Sequence, residues 1–123
     1  MKVVGIDILE IDRFVEIEKD ETKMSKMFTE NEIEYFNKFQ HKTSHIAGTF
    51  CAKEAFVKAL KTGFNKDIFI KDVEVLHNEK GVPYINTQNE KVKNLLKENE
   101  KVDISISHNN STATAICIIF DKN

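Results

Sequence analysis

The sequence predicts an α+β fold, with helices packed on one side of a mostly antiparallel sheet and one long helix at the centre. Three observations carry that expectation. The segments fall in the order strand, helices, two strands, helix, two strands. Both strand pairs are joined by short polar turns and read as hairpins. One helical pattern near the middle is longer and more apolar than any other.

KVVGIDIL (2–9) is short, apolar and β-branched, and reads as a buried strand whose far end carries Asp7 and Glu10. In 11–20, Ile11, Phe14 and Ile17 at helical spacing predict a short helix or turn. In 29–39, Thr29 followed three residues later by Glu32 is a capping box, and Ile33, Phe36 and Phe39 offer an apolar face. The long helix runs from Thr43 or Ser44 to Thr62, with Gly63 as its stop. Residues 72–87 predict two strands around the turn NEKG, with Pro83 near the start of the second or on an edge. Residues 89–100 predict a polar amphipathic helix with Val92, Leu95 and Leu96 as its stripe. VDISISH (102–108) and TATAICIIFD (112–121) alternate well and flank the turn HNNS.

The chain has 123 residues, 41% apolar and 31% charged, which fits one soluble globular domain over 1–123. Nine Phe and no Trp predict a core of Phe, Ile, Leu and Val. A net charge of −2 argues against a general nucleic-acid binder, which carries a basic excess. No apolar run reaches the length of a membrane span and no signal-type start is present, so no membrane partner is expected. The expected location is cytoplasmic, with Cys51 and Cys117 as reduced, buried thiols. Arg13 is the single Arg among eighteen basic residues. It is either an ordinary surface residue or one kept for its planar fork, which grips carboxylate or phosphate in two places.

On a wheel at about 100° per residue, Glu54, Lys58 and Lys61 form one stripe on a helix apolar over much of its circumference. A carboxylate in a largely buried helix needs a partner. Two readings stand. One is an i,i+4 ion pair between Glu54 and Lys58 on a solvated face. The other takes a second carboxylate, Asp7, from the strand end. Two carboxylates from separate elements suit a hard cation such as Mg²⁺, which completes its shell with water and substrate phosphates. Lys58 and Lys61 would then hold phosphate oxygens, an arrangement suited to phosphoryl-type chemistry. His108, at a strand end, is a candidate phosphate ligand or proton donor, or else a turn histidine bonded to backbone. His41, His45 and His77 have no partner visible in the sequence. There is no G-x-S-x-G elbow and no Gly-rich phosphate loop.

Three stretches together, GIDILEIDRF, AGTFCAKEAFVKALKTG and SISHN, resemble the holo-[acyl-carrier-protein] synthases, the small 4′-phosphopantetheinyl transferases. Order, spacing and length agree over nearly the whole chain. The resemblance implies a 4′-phosphopantetheinyl transferase-like fold and a homotrimer with sites between neighbouring subunits. It implies Mg²⁺-dependent transfer of 4′-phosphopantetheine from coenzyme A to a serine of apo-acyl carrier protein, in fatty acid biosynthesis, releasing adenosine 3′,5′-bisphosphate. It matches the metal ligands to Asp7 and Glu54 and the catalytic pair to Glu54 and Lys58. Coenzyme A contacts would fall on Lys58, Lys61, Gly63 and His108, and carrier docking on Arg13. Three groups stand open as base for the serine proton: Glu54, a water on the metal, or a carrier side chain. The family often reads A-G-R-F before the KEA motif, where this chain has Thr49. A contact to a coenzyme A phosphate or to the carrier is then weaker, or supplied by a nearby lysine such as Lys53. Two rival functions remain: a binding-only oligomer and a Mg²⁺-dependent phosphoanhydride hydrolase.

Overall fold

The computed structural model describes residues 2–122. Strand β1 (Val3–Glu10) turns Gly5, Asp7 and Leu9 inward and leaves Val4, Ile6 and Ile8 exposed. A 3₁₀ turn (Ile11–Phe14) and the single-turn helix α1 (Val15–Glu18) follow, as the spacing predicts. Helix α2 (Glu21–Met27) was not anticipated. Its one buried residue is Met24, so there was no stripe to read, and its start depends on Asp20 accepting the Lys23 N–H. Helix α3 (Glu30–Phe36) carries the predicted capping box, but Phe39 falls beyond its end.

Helix α4 (Thr43–Leu60) is the centre of the molecule. It stops before the predicted end. Lys61, not Gly63, takes the left-handed conformation that ends it, at φ 66°. The Lys61 N–H donates to the Lys58 carbonyl and the Thr62 N–H to the Val57 carbonyl, so the end is closed by a paired Schellman arrangement. Gly63, at φ 63°, makes the next turn. Lys61 has therefore left the helix, and the charged stripe ends at Lys58.

A second 3₁₀ turn (Ile70–Asp72) takes the place of the expected start of the next strand. Strands β2 (Val75–His77) and β3 (Pro83–Ile85) form a small hairpin around residues 78–82, with Pro83 opening the second strand. Helix α5 (Glu90–Leu95) is shorter than predicted, because Glu100 already belongs to β4 (Glu100–His108). Strand β5 (Thr112–Asp121) pairs antiparallel with both β4 and β1, giving the sheet order β1-β5-β4.

Helix α4 packs on the inner face of this sheet, against β1, β5 and β4. Small residues permit the approach: Gly5, Ala113 and Ala115 are all buried there. At Gly5 the approach is backbone to backbone. A Cβ on Gly5 would lie 1.9 Å from the Ala55 carbonyl oxygen and 2.5 Å from the Ala59 nitrogen. Phe28, Phe36, Phe56, Ile68, Val73 and Val75 complete the core.

Lys53, the charge that neither reading of the helix used, is fully buried and 2.7 Å from Oε1 of Glu32, itself buried. Its ammonium also donates to the carbonyls of Met27 and Ile70. Glu32 accepts from the backbone N–H of Thr29 and Val75 as well. The pair therefore ties α4 to the end of α2, the start of α3 and β2. Burial pushes the Glu32 carboxyl up and the Lys53 ammonium down, while their attraction and hydrogen bonds oppose both shifts. Lys53 is thereby excluded as the cation that replaces the arginine at position 49.

Candidate active site

The close packing at Gly5 brings the end of β1 beside the middle of α4. Lys58 Nζ lies 2.9 Å from Asp7 Oδ1 and 3.1 Å from the Ile6 carbonyl. The expected Glu54–Lys58 ion pair is absent among the described residues: the lysine turns to Asp7 instead. A side chain on α4 reaches β1 more directly than it reaches one turn back along its own helix. Glu54 is left half-buried with no ion-pair or hydrogen-bond partner among the described residues. Burial, and then the Asp7 charge, push its carboxyl above the usual range, while Lys58 and Arg13 pull it back.

Cys51, one turn before Glu54 on the same face, points its thiol at the Ala113 carbonyl at 3.5 Å and at Asp7. Burial and the Asp7 charge push it up to about 12, so it stays a neutral donor. Cys51 is thus a core thiol, as expected, that also touches the site. Arg13, on the first 3₁₀ turn, is exposed and lays its guanidinium 5.3 Å from the Phe50 ring centroid and 5.7 Å from that of Phe14. These stacks hold it next to Glu54 without burying it.

The donor set suits a hard cation. Asp7 and Glu54 supply two carboxylates, and Glu54 has no hydrogen-bond or ion-pair partner among the described residues to displace. Among the described residues no group of three or more His, Cys, Asp or Glu gathers, so an ion here would take most of its shell from water and phosphate oxygens.

The structure divides the other predicted site residues. Lys61 and Gly63 are exposed just past α4, two and four residues beyond Ala59. His108 is not beside Asp7. Asp7 is level with Ala115 and Ile106, and His108 with Ala113, so the two lie two strands and two residues apart. At ordinary strand spacing that is about 12 Å between Cα atoms. His108 instead faces His45, with ring centroids 5.6 Å apart. His45 and Thr49 share one face of α4, roughly 180° and 140° around the helix from Glu54. One cluster thus sits at the β1 edge of the sheet and another at the β4 edge. The second cluster includes His45 and His77, which sequence reading left without partners. The i,i+4 spacing of His45 and Thr49 was its one signal.

The chain belongs to the 4′-phosphopantetheinyl transferase superfamily, whose family model matches residues 3–118. Within it, the chain is 43% identical over 120 residues to a holo-[acyl-carrier-protein] synthase of Clostridium tetani, covering 94% of this chain and 93% of the relative. Among solved structures it resembles a holo-(acyl-carrier-protein) synthase from Bacillus anthracis in complex with coenzyme A, with TM-score 0.80, 29% identity and coverage of 98% and 96%. It resembles equally a Helicobacter pylori holo-[acyl-carrier-protein] synthase in complex with coenzyme A, with TM-score 0.79, 31% identity and coverage of 95% and 99%.

Proposed function

We propose that this chain transfers 4′-phosphopantetheine from coenzyme A to a serine of apo-acyl carrier protein, releasing adenosine 3′,5′-bisphosphate, in fatty acid biosynthesis. The observation that carries this is the meeting of Asp7, Glu54 and Lys58 in a chain 43% identical to a holo-[acyl-carrier-protein] synthase. The chain acts as one transferase domain over 1–123.

Asp7 and Glu54 would hold Mg²⁺, which when bound supplies positive charge to the pyrophosphate of coenzyme A. Lys58 is half exposed on Asp7 and needs only a rotamer change to donate to a phosphate oxygen. There it stabilises charge on the departing bisphosphate as the carrier serine attacks the phosphorus bearing pantetheine. Lys61 and Gly63, exposed just past α4, and His108 complete the contacts to coenzyme A. Glu54, already biased toward holding a proton, is the chain's own candidate for the serine proton. Arg13, with Lys23 and Lys26 exposed on α2, forms the local basic surface that docks an acidic carrier despite the overall charge of −2.

The working assembly on this reading is a homotrimer. Two observations support it. Val4, Ile6, Ile8 and Ile116 expose an apolar patch on the outer sheet face. The two clusters lie at opposite sheet edges, so a ring of copies would set Asp7, Glu54 and Lys58 of one against His108 of the next.

The test is a mass measurement on the carrier after incubation with coenzyme A and Mg²⁺. A gain of one phosphopantetheine supports transfer. Cleaved coenzyme A with unmodified carrier would mean a hydrolase, and neither change would mean binding alone.

A further inference from the structure

The side chain of Asp7 is only 15% exposed, so its carboxylate depends on partners within the chain. Lys58 donates to Oδ1 at 2.9 Å, and the Cys51 thiol hydrogen-bonds the same side chain from the other direction along α4. The Thr114 hydroxyl donates to the Asp7 backbone carbonyl at 2.8 Å and pins that residue of β1 to β5. The place of Cys51 follows from the packing. β1 meets α4 at Gly5, against Ala55 and Ala59, and runs from there toward the start of the helix. Asp7, two residues further on, therefore lies over the turn that holds Cys51, which is fully buried.

The thiol carries one proton and faces two acceptors, the Ala113 carbonyl at 3.5 Å and the Asp7 carboxylate. A carboxylate oxygen accepts more strongly than an amide carbonyl. Lys58 is half exposed and, on the transferase reading, turns away to a phosphate oxygen. The thiol is then the side-chain donor left on the Asp7 carboxylate among the described residues. A weak donor suits that place, because it orients the carboxylate and leaves its charge to a cation. A fixed ammonium or guanidinium there would compete with the cation instead.

We propose that Cys51 is a positioning residue for the metal: its S–H group holds the Asp7 carboxylate beside Glu54 as Lys58 leaves, so that both carboxylates meet one Mg²⁺. The inference rests on the transferase reading for the identity of the cation. Cys51 touches neither cation nor substrate and acts through Asp7. Among the described residues no three groups of His, Cys, Asp or Glu gather as a ligand set, which places the sulfur behind Asp7 rather than in the coordination shell. A hydrogen bond one step behind a metal ligand is worth about 10–100-fold in metal affinity.

Infrared spectroscopy of the S–H stretch in the full-length protein reads this contact without turnover. Cys117→Ala removes the other thiol, so the remaining band belongs to Cys51. Saturation with Mg²⁺ should move that band to higher frequency, because the cation draws charge from Asp7 and weakens the S–H···O bond. A thiol bonded to the Ala113 carbonyl alone would not respond. Mg²⁺ titrations followed by melting temperature supply the second measurement. Cys51→Ala should weaken Mg²⁺ binding by about tenfold relative to the wild type. Cys51→Ser keeps a donor at the same place and should recover most of that affinity.

A Cys51 band that stays in place at saturating Mg²⁺ would overturn the inference, as would a serine variant that binds Mg²⁺ no better than the alanine one. The infrared measurement keeps Cys51 intact, so it decides the matter even if Cys51→Ala folds poorly. The two readings fail separately. A wild type that binds Mg²⁺ and modifies the carrier while its Cys51 band stays silent sinks only this proposal. A wild type whose melting temperature ignores Mg²⁺ removes the metal reading and this inference with it.

Discussion

Lys58 reaches across to Asp7, 2.9 Å away, and leaves Glu54 on its own helix without a hydrogen-bond or ion-pair partner among the described residues. The lysine thereby engages Asp7 in a hydrogen-bonded ion pair, while Glu54 bears a desolvation cost that the charges of Lys58 and Arg13 offset only in part. A site that costs stability until its ligand arrives has measurable consequences.

Glu54→Gln should raise the melting temperature of the metal-free protein at pH 7 by a few degrees. The sign follows from linkage. A carboxyl raised in the folded state contributes most stability below its unfolded pKa, and that contribution is lost as pH rises through the folded value. The variant removes that loss. Mg²⁺ should raise the melting temperature of the wild type and not of the variant, and transfer should fall by about 10²-fold or more. Full transfer by Glu54→Gln at limiting Mg²⁺ would refute the metal-ligand role.

Gly5→Ala should be severe for so small a change. Its Cβ would meet the Ala55 carbonyl at 1.9 Å, so α4 must move off β1. Urea unfolding should show a loss of about 1–3 kcal/mol. Transfer should drop further than the folded fraction does, because the shift parts Glu54 from Asp7. Activity that tracks the folded fraction alone would mean the site tolerates the displacement.

Lys53→Met alone and Glu32→Leu alone should each cost about 3–5 kcal/mol, since each strands a buried charge. The double variant should recover most of that loss. A double-mutant cycle by chemical denaturation checks it, and strictly additive losses would show that the pair is not coupled.

Arg13→Ala should raise the KM for carrier protein by roughly tenfold, or 1.4 kcal/mol, and leave that for coenzyme A nearly unchanged. Arg13 is exposed and stacked on Phe50, so little stability should be lost. An unchanged carrier KM would remove it from the docking surface.

Ile8→Asp tests the outer sheet face. Ile8 is 69% exposed beside Ile6 at 61%. Light scattering should give three times the 14.2 kDa chain mass for the wild type and a single chain for the variant. A wild type already monomeric at assay concentration would refute the trimer.

The elements were legible wherever a period and a boundary signal coincided. β1, the Thr29–Glu32 capping box, the body of α4 and the last hairpin lie where the pattern puts them. Helix α2 was invisible, because a helix burying only Met24 has no stripe. The end of α4 was misplaced because a lysine took the left-handed position that glycine normally fills. The motif residues Asp7, Glu54 and Lys58 could be picked from the sequence as charges out of keeping with their apolar surroundings.

The sequence by itself determined the segments, the family pattern and which charges were unusual, because those depend on period, capping and local composition. The tertiary structure alone decided who pairs with whom. It gave Lys58 to Asp7, gave Lys53 to Glu32 and gathered His45, His77 and His108 around one cavity. Those partners are 51, 21 and up to 63 residues apart in the chain, and no local rule links them. Strand register and the close approach at Gly5 do, because both are fixed only when the sheet and α4 bury their shared face.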